Sequence, residues 1–275
     1  MNKIARFFRF AGAGVKFSLF VAWSILQVPT LLLVAPWWRR FGVVQFRIFS
    51  LACCRILFRI GLKVDGILPQ YRPLLITSNH ISVFELLAFP ALFGCRFFGK
   101  GEIAKYPLIG RLASGFGTMF IDRNPMKAVE AIDLIRKNLR GSKSPFVIFP
   151  EGTTDNGNYI LPFKSAMFDF LKDVPDAKIQ PAAITYLDKR GRKIDPQVLA
   201  DEYACFVNAK QTREPYCKKE LSVWAVLFMG MVHGGFTIKM KLLPLFETTG
   251  LNRKEIAARL YDLTDSAFQE FGGAA

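Results

Sequence analysis

The sequence predicts an α/β fold, a mixed β-sheet with helices on its faces, preceded by an N-terminal helical segment that associates with a membrane. Beyond residue 62, short apolar runs alternate with stretches of helical periodicity, which is typical of a sheet covered by helices. Residues 1–62 contain basic and apolar side chains but no Asp or Glu. We therefore expect two regions, basic and apolar membrane-associated helices over residues 1–62 and an α/β domain over residues 63–275.

The first region has the composition of a segment that binds a bilayer. No charged residue occurs from 17 to 38, and these 22 positions would extend about 33 Å as a helix, close to the ~30 Å hydrocarbon core. Pro29 interrupts the run, so the sequence leaves open a full span or a kinked, in-plane or re-entrant helix pair. Residues 43–62 predict a second, basic amphipathic helix with Arg55 and Arg59 on one face. Basic side chains beside apolar ones favour an anionic leaflet.

Charge and cysteine content narrow the class of partner. The net charge of +15 favours anionic partners, and the positive mean hydropathy argues against a nucleic-acid-binding module of this size. A membrane surface and a phosphorylated or CoA-like substrate are therefore the favoured partners. The five cysteines show no metal-ligand spacing, and we expect no metal and no cofactor.

The second region contains six candidate strands. The apolar runs that predict them are residues 74–78, 96–99, 118–121, 146–149, 179–186 and 236–243. Helices are predicted from Val83, over 125–140 and from about Arg253. Residues 221–236 are apolar and predict either a buried helix or a second membrane-facing surface.

The first candidate site residues follow the strand predicted at 74–78. Asn79 and His80 lie in the turn, while Ser82 and Glu85 fit the capping box S-x-x-E, so the helix is predicted to start at Ser82. Residues five apart on one helix point about 140° apart, but a histidine outside the helix can contact the Glu85 carboxylate. That carboxylate then either only caps the helix, or it orients the imidazole as a general base.

Two further predicted strands also end in polar residues. The strand at 118–121 is followed by Arg123, which can hold a phosphate through a bidentate pair of hydrogen bonds or form a surface ion pair. The next strand runs into Glu151, whose charge needs partners, and into Gly152 and Thr153, which offer a tight turn and donor groups. Active sites of α/β sheets gather beyond the carboxyl ends of strands, so these residues are candidates for one site.

Together these stretches resemble the glycerolipid acyltransferases, the family of bacterial 1-acylglycerol-3-phosphate acyltransferases. The family motif N-H-x-S-x-x-D is present with Glu85 in place of Asp. The motif G-x-x-F-I-D-R is matched by residues 117–123, and F-P-E-G-T by residues 149–153. A fourth block, a strand with a proline, is matched by residues 179–186. The likeness covers about residues 60–190 and is closest to alphaproteobacterial-type members, which include lyso-ornithine-lipid acyltransferases.

The resemblance implies a membrane-associated O-acyltransferase whose acyltransferase domain is the second region. It would transfer an acyl chain from acyl-CoA or acyl carrier protein to the free hydroxyl of 1-acylglycerol-3-phosphate, giving phosphatidic acid. His80 is implied as the general base and Glu85 as its partner. The residues implied on the substrate-binding side are Asn79, Ser82, Lys100, Arg123, Glu151, Gly152 and Thr153.

Two alternatives stay open. An acyltransferase for lyso-ornithine lipid or another lysophospholipid shares every motif, whereas an inactive membrane-binding homologue is favoured only by Glu85 in place of Asp. The implied partners are a lysolipid acceptor, an acyl thioester donor, and the anionic leaflet of the inner (cytoplasmic) membrane, with the active site facing the cytoplasm. If the carboxylate serves catalysis, Glu85→Asp is expected to keep or raise activity.

Overall fold

The computed structural model describes residues 3–34, 41–106, 108–121, 135–154, 157–174, 176–194 and 223–271. The helices are α1 (Lys3–Val34), α2 (Phe41–Ala52), α3 (Glu85–Phe93), α4 (Ile109–Gly115), α5 (Val223–His233) and α6 (Arg253–Gln269). The strands are β1 (Gly61–Asp65), β2 (Leu74–Ser78), β3 (Arg96–Lys100), β4 (Met119–Ile121), β5 (Phe146–Ile148), β6 (Lys178–Leu187) and β7 (Thr237–Leu242). Shorter helical segments are a π-helical turn, Cys53–Leu57, and two 3₁₀ segments, Gly101–Lys105 and Ser165–Asp173.

The strands form one seven-stranded mixed sheet in the order β1-β7-β6-β2-β5-β3-β4. Every neighbouring pair is parallel except β6 and β7, which are antiparallel. The carboxyl ends of β2, β5 and β6 therefore lie at the same edge of the sheet. The predicted α/β class with a mixed sheet is confirmed.

Two apolar layers cover the sheet. One layer packs α1, α2, α3 and α5 on one face, and the other packs α6 and the Ser165–Asp173 segment on the opposite face. Strand β6 shows the alternation that this requires, since Ala182 and Ile184 enter the first layer while Ile179 and Ala183 enter the second. Because both faces of the central strands are covered, β2 is buried along its whole length.

Helix α1 continues through Pro29 without ending there. Its stretch Phe7–Leu31 is apolar and long enough to cross a membrane by length and composition. One side of α1 packs on α5, where Phe17 contacts the rings of Trp224 and Phe228. Its other side exposes large apolar side chains, namely Phe7, Phe8, Val15, Leu19, Ile25, Leu26 and Leu33.

The predicted helix over residues 43–62 is shorter in the structure. Helix α2 and the π-helical turn end at Leu57, and Arg59 lies beyond them with a positive φ of 52°. The Ile60 amide donates to the Cys54 carbonyl, which closes the helix end as the chain turns into β1. Arg55 and Arg59 therefore do not share a helix face. Strand β1 was not predicted, because its five residues alternate between exposed and half-buried positions and form no apolar run.

Other boundaries also differ from the prediction. Helix α3 begins at Glu85 after a turn, two residues beyond Val83, since the first α-helical hydrogen bond runs from the Ala88 amide to the Phe84 carbonyl. The prediction that the helix starts at Ser82 is therefore wrong, because Phe84 is the N-cap and only the backbone half of the predicted capping box is formed. Helix α4 was not predicted. Of the helix predicted over 125–140, only residues 135–140 are described, and these are helical. In the apolar stretch 221–236, α5 is a buried helix.

Candidate active site at the carboxyl ends of the central strands

The register of β2 and β5 brings two motif residues together. Thr77 pairs with Ile148, and three residues further along each strand lie His80 and Glu151. The backbone amide of His80 donates to Oε1 of Glu151 at 2.6 Å, and the amide of Leu161 donates to Oε2 at 2.9 Å. Glu151 is 2% exposed. The buried carboxylate thus joins the turn after β2 to the loop after β5, which meets the need for partners that the sequence predicts.

Asn79 ties the same turn to β6. Its amide nitrogen donates to the Ile184 carbonyl at 3.1 Å, and its amide oxygen accepts from the Ile184 backbone amide at 2.8 Å. Asn79 is buried, so both bonds are shielded from water. The Asn79 side chain therefore adds two hydrogen bonds between the end of β2 and β6, and these bonds fix the position of His80.

His80 and Glu85 are in direct contact. Nδ1 of His80 lies 2.8 Å from Oε2 of Glu85, and the Ser82 backbone amide donates to the same oxygen at 2.8 Å. Glu85 is fully buried, whereas 16% of the His80 side chain is exposed. Because a carboxylate only accepts, Nδ1 is the donor in this contact, and in a neutral imidazole Nε2 then has the lone pair. The expected contact is confirmed, and the backbone half of the capping interaction is made by the same oxygen.

Tyr186 is a further partner of Glu85, to which sequence reasoning assigned no role. Its hydroxyl donates to Oε1, the oxygen that His80 does not contact. Burial, and then the charge of Glu85, raise the pKa of Tyr186 well above its usual range, so the phenol stays a donor. Tyr186, His80 and the Ser82 amide thus give the buried Glu85 carboxylate three donors in place of solvent. The available signal was a tyrosine on the inward-facing side of β6, which needs a partner when buried.

The imidazole of His80 stacks on an aromatic ring, which restricts its orientation. The ring of His80 stacks on Phe149 with centroids 4.0 Å apart and an interplanar angle of 11°. Phe149 in turn contacts the rings of Phe89 and Phe97. Phe149 belongs to the F-P-E-G-T stretch, so this motif supplies both the stacking partner of His80 and the carboxylate beneath it.

The turn after Glu151 lies next to a cation. Gly152 has a φ of +69°, and a Cβ placed on it would lie 2.8 Å from Nζ of Lys164. The Lys164 amide donates to the Pro150 carbonyl at 2.9 Å, which fixes this approach. Thr153 is exposed beside the turn. An exposed ammonium, a hydroxyl and a turn without a side chain are thus available together at one edge of the site.

Two candidate residues, Lys100 and Arg123, cannot be placed in the site. Arg123 lies outside the described residues, and Lys100 ends β3 with its side chain outside the description. Within the described ranges, no group of three or more His, Cys, Asp or Glu side chains is arranged to hold a metal ion.

Residues 61–185 match the family described as Acyltransferase. This segment, somewhat less than half of the chain, is similar to the acyltransferase family. The segment contains His80, Glu85 and Glu151, and Tyr186 follows it directly. The match agrees with the family that the sequence motifs resemble, whose chemistry involves an acyl donor and a lysolipid acceptor.

Similar proteins include members with different acceptors in their names. The 1-acyl-sn-glycerol-3-phosphate acyltransferase of Neisseria gonorrhoeae is 28% identical over 184 residues, which are 58% of this chain and 71% of that protein. The lyso-ornithine lipid O-acyltransferase of Brucella abortus is 32% identical over 142 residues, 49% of this chain and 53% of that protein. The crystal structure of the 1-acyl-sn-glycerophosphate acyltransferase of Thermotoga maritima superposes with a TM-score of 0.62 at 16% identity, covering 100% and 97% of the two chains. This superposition supports the fold.

Proposed function

We propose that this acyltransferase is a membrane-associated O-acyltransferase that acts on the free hydroxyl of 1-acylglycerol-3-phosphate and produces phosphatidic acid. The observation that carries the proposal is the 2.8 Å contact between Nδ1 of His80 and the buried Glu85 carboxylate. This contact leaves Nε2 of His80 as an acceptor at the carboxyl edge of β2, where sites of α/β sheets form.

The proposed reaction needs one proton acceptor and no covalent enzyme intermediate. Nε2 of His80 takes the proton of the acceptor hydroxyl as that oxygen attacks the thioester carbonyl carbon. The carbon–sulfur bond then breaks, and the thiolate leaves with the proton that His80 received. General base catalysis of this kind typically contributes about 10²–10⁴-fold. Glu85 keeps the tautomer and stabilises the imidazolium while the proton resides on the ring.

The remaining site residues are assigned to positioning and to the acceptor. Asn79 and Glu151 hold the turn that carries His80, and the Ser82 amide holds Glu85. Gly152, Thr153, Lys100 and Arg123 are proposed to contact the acceptor, with Arg123 holding its phosphate through a bidentate pair of hydrogen bonds. Lys164, beside Gly152, adds a cation on the same side.

We further propose that α1 and α2 hold the site against the anionic leaflet of the inner membrane, with the site facing the cytoplasm. Support comes from the exposed apolar side chains of α1 and from Val44, Ile48 and Ile56, which are exposed on or just after α2. In sealed spheroplasts the catalytic domain should resist added protease, whereas inverted vesicles should expose it. Cleavage in intact spheroplasts would contradict the proposed orientation.

The activity is tested with purified protein and defined substrates. Acyl-CoA and acyl carrier protein thioesters are each offered with lysophosphatidic acid, lyso-ornithine lipid or lysophosphatidylethanolamine, and both thiol release and the acylated lipid are measured. We expect transfer to lysophosphatidic acid that His80→Ala abolishes. Preferred transfer to lyso-ornithine lipid would support the second candidate, which the Brucella relative favours at 32% identity. No transfer with any pair would support an inactive homologue.

A further inference from the structure

A basic cavity lies at the junction of α1, the loop after β6 and the end of α5. Two adjoining spaces of about 220 and 620 Å³ share Arg9, Lys189 and His233 in their walls. The larger space is comparable in size to a small-ligand site. None of these residues has a role in the proposed acyl transfer.

Among the residues that the structure describes, basic side chains in the cavity wall outnumber acidic ones. Basic side chains from three segments of the chain line the cavity. These are Arg9 and Lys16 from α1, Arg59, and Lys189 and Arg190 from the loop after β6. Asp188, the acid in the wall, is paired with Arg192 at 2.8 Å. Over the part of the chain that the structure describes, no ion pair joins Arg9, Lys16, Arg59 or Lys189 to a carboxylate. Lys16 and Arg59 are close enough to repel each other, so an anion bound between them is stabilised.

Two glycines directly after α5 leave space for the side chains of Arg59 and Lys189. Gly234 and Gly235, directly after α5, have φ values of +43° and +87°. A Cβ on Gly234 would lie 3.1 Å from Nη2 of Arg59, and one on Gly235 would lie 2.8 Å from Cε of Lys189. Arg59 itself has the left-handed φ of 52° that residues with a Cβ rarely adopt. The His-Gly-Gly turn thus provides a surface without side chains on which two cations converge.

The surroundings of the cavity indicate a lipid ligand. Phe8 lines the smaller space and is 67% exposed, next to Phe7, which is 69% exposed. An apolar surface of α1 therefore adjoins the cations, as required for a ligand with a charged head and an acyl chain. Phe236 lines the larger space and stacks on Tyr186 with centroids 5.4 Å apart. Tyr186 in turn donates to Glu85, so this aromatic pair connects the cavity wall to the residue that contacts His80.

We propose that this cavity is a second phosphate site, which binds the headgroup phosphate of an anionic membrane lipid through Arg9, Lys16, Arg59 and Lys189. The acyl chains of that lipid would lie along the exposed apolar face of α1. The proposal rests on the proposed membrane association but not on acyl transfer. The bound lipid is a structural ligand that sets the depth and orientation of the protein on the leaflet, and no bond of the lipid is changed.

The test measures vesicle binding without catalysis. Purified full-length protein is mixed with phosphatidylcholine vesicles that carry equal negative charge from either phosphatidylglycerol or oleate, and binding is measured by flotation. Neither lipid is an acceptor in the proposed reaction. We expect wild-type protein to bind phosphatidylglycerol vesicles about tenfold more tightly than oleate vesicles. The variant Lys16→Gln/Lys189→Gln should lose this preference. The variant Arg9→Gln/Lys189→Gln should behave alike.

The matched control removes two other basic residues from the N-terminal helical region. Arg47→Gln/Arg55→Gln alters two exposed side chains that line neither cavity. It should weaken binding to both kinds of vesicle alike and keep the preference for phosphatidylglycerol. Thermal unfolding of each variant checks that the fold is retained.

Four other results of the vesicle experiment would contradict the proposed lipid site. A preference that survives in both cavity variants would overturn the site, and so would a wild-type protein that binds oleate and phosphatidylglycerol vesicles equally. Release from phosphatidylglycerol vesicles by coenzyme A or inorganic phosphate at millimolar concentration would overturn the lipid assignment in favour of a soluble phosphate. If wild-type protein binds no vesicle yet acylates lysophosphatidic acid in detergent, the lipid site fails while the proposed reaction stands.

Discussion

The hydroxyl of Tyr186 donates a hydrogen bond to Oε1 of Glu85. The other carboxylate oxygen receives Nδ1 of His80 and the Ser82 amide, both at 2.8 Å. A glutamate one methylene longer than the family's aspartate can therefore serve the helix start and the histidine together, since it is held from both sides. The phenol takes up the oxygen that would otherwise be buried without a partner, a situation that costs about 1–3 kcal/mol.

Removing this phenol hydroxyl should impair the dyad without abolishing it. In Tyr186→Phe, Glu85 keeps His80 and the Ser82 amide as donors but loses one of three. We expect kcat to fall by about 10-fold, because hydrogen bonds to charged groups contribute about 1.5–3 kcal/mol. A merely structural role would lower the free energy of unfolding and leave kcat of the folded protein unchanged. Steady-state kinetics and denaturant unfolding on the same preparation distinguish the two outcomes.

The stability of the same variant should differ from wild type in alkali. The pKa of Tyr186 is raised in the folded protein, mainly by burial, so above about pH 10 the unfolded chain ionises its tyrosine while the folded chain does not. Wild-type protein should therefore lose stability as the pH rises through 10 and beyond, more steeply than Tyr186→Phe. Denaturant unfolding between about pH 8 and 11 measures the difference, and equal slopes would contradict the assignment.

Shortening the carboxylate should now be harmful. The sequence alone favours Glu85→Asp keeping or raising activity, but in the structure the shorter side chain cannot reach both His80 and Tyr186 from the same helix position. We expect activity to fall by about 10-fold in Glu85→Asp and further in Glu85→Gln, whose amide cannot support an imidazolium. Steady-state assays of Glu85→Asp, Tyr186→Phe and the double variant form a cycle. Fully additive losses would show that the two side chains do not act together.

His80→Ala should lower acyl transfer by about 10²–10⁴-fold while leaving the fold intact. The ring is partly exposed and stacks on Phe149, and Oε2 of Glu85 keeps the Ser82 amide as a donor when the ring is removed, so the protein should remain folded. Thiol release and thermal unfolding are measured on the same preparation. Near-normal transfer by a folded His80→Ala protein would exclude His80 as the base.

Glu151→Gln should lower stability and activity together. The buried carboxylate accepts from the amides of His80 and Leu161, and a glutamine can present an oxygen to only one of them. We expect a loss of about 1–3 kcal/mol in the free energy of unfolding, with kcat reduced because the His80 turn is released. Urea unfolding and steady-state kinetics measure both effects. Unchanged values in both would contradict the positioning role.

Arg123→Ala should raise KM for a phosphate-bearing acceptor and change kcat little, because a bidentate contact to a phosphate acts on bound and transition states alike. Arg123→Lys is the matched comparison, since it keeps the charge but not the paired hydrogen bonds. KM is compared for lysophosphatidic acid and for lyso-ornithine lipid. Equal KM values for the wild type and both variants would favour an acceptor without phosphate.

Sequence reasoning reached much of the site because its signals are local. Strand ends, the Asn79-His80 turn and the spacing to Glu85 were readable from neighbouring residues, and the resulting contact is present. Besides β1 and α4, two features that depend on distant parts of the chain were not predicted. Tyr186 contacts Glu85 across 101 positions of sequence, and the left-handed turn at Arg59 depends on how the chain leaves α2 to enter β1.

The sequence by itself determined the α/β class, the basic and apolar first region, and the similarity of residues 61–185 to the acyltransferase family. These follow from periodicity, composition and motif spacing, which are properties of short stretches. Only the tertiary structure decided which oxygens of Glu85 and Glu151 accept which donors, and that Arg9, Arg59 and Lys189 converge on one cavity. Those contacts join segments far apart in the chain, and strand order and register set them rather than any local pattern.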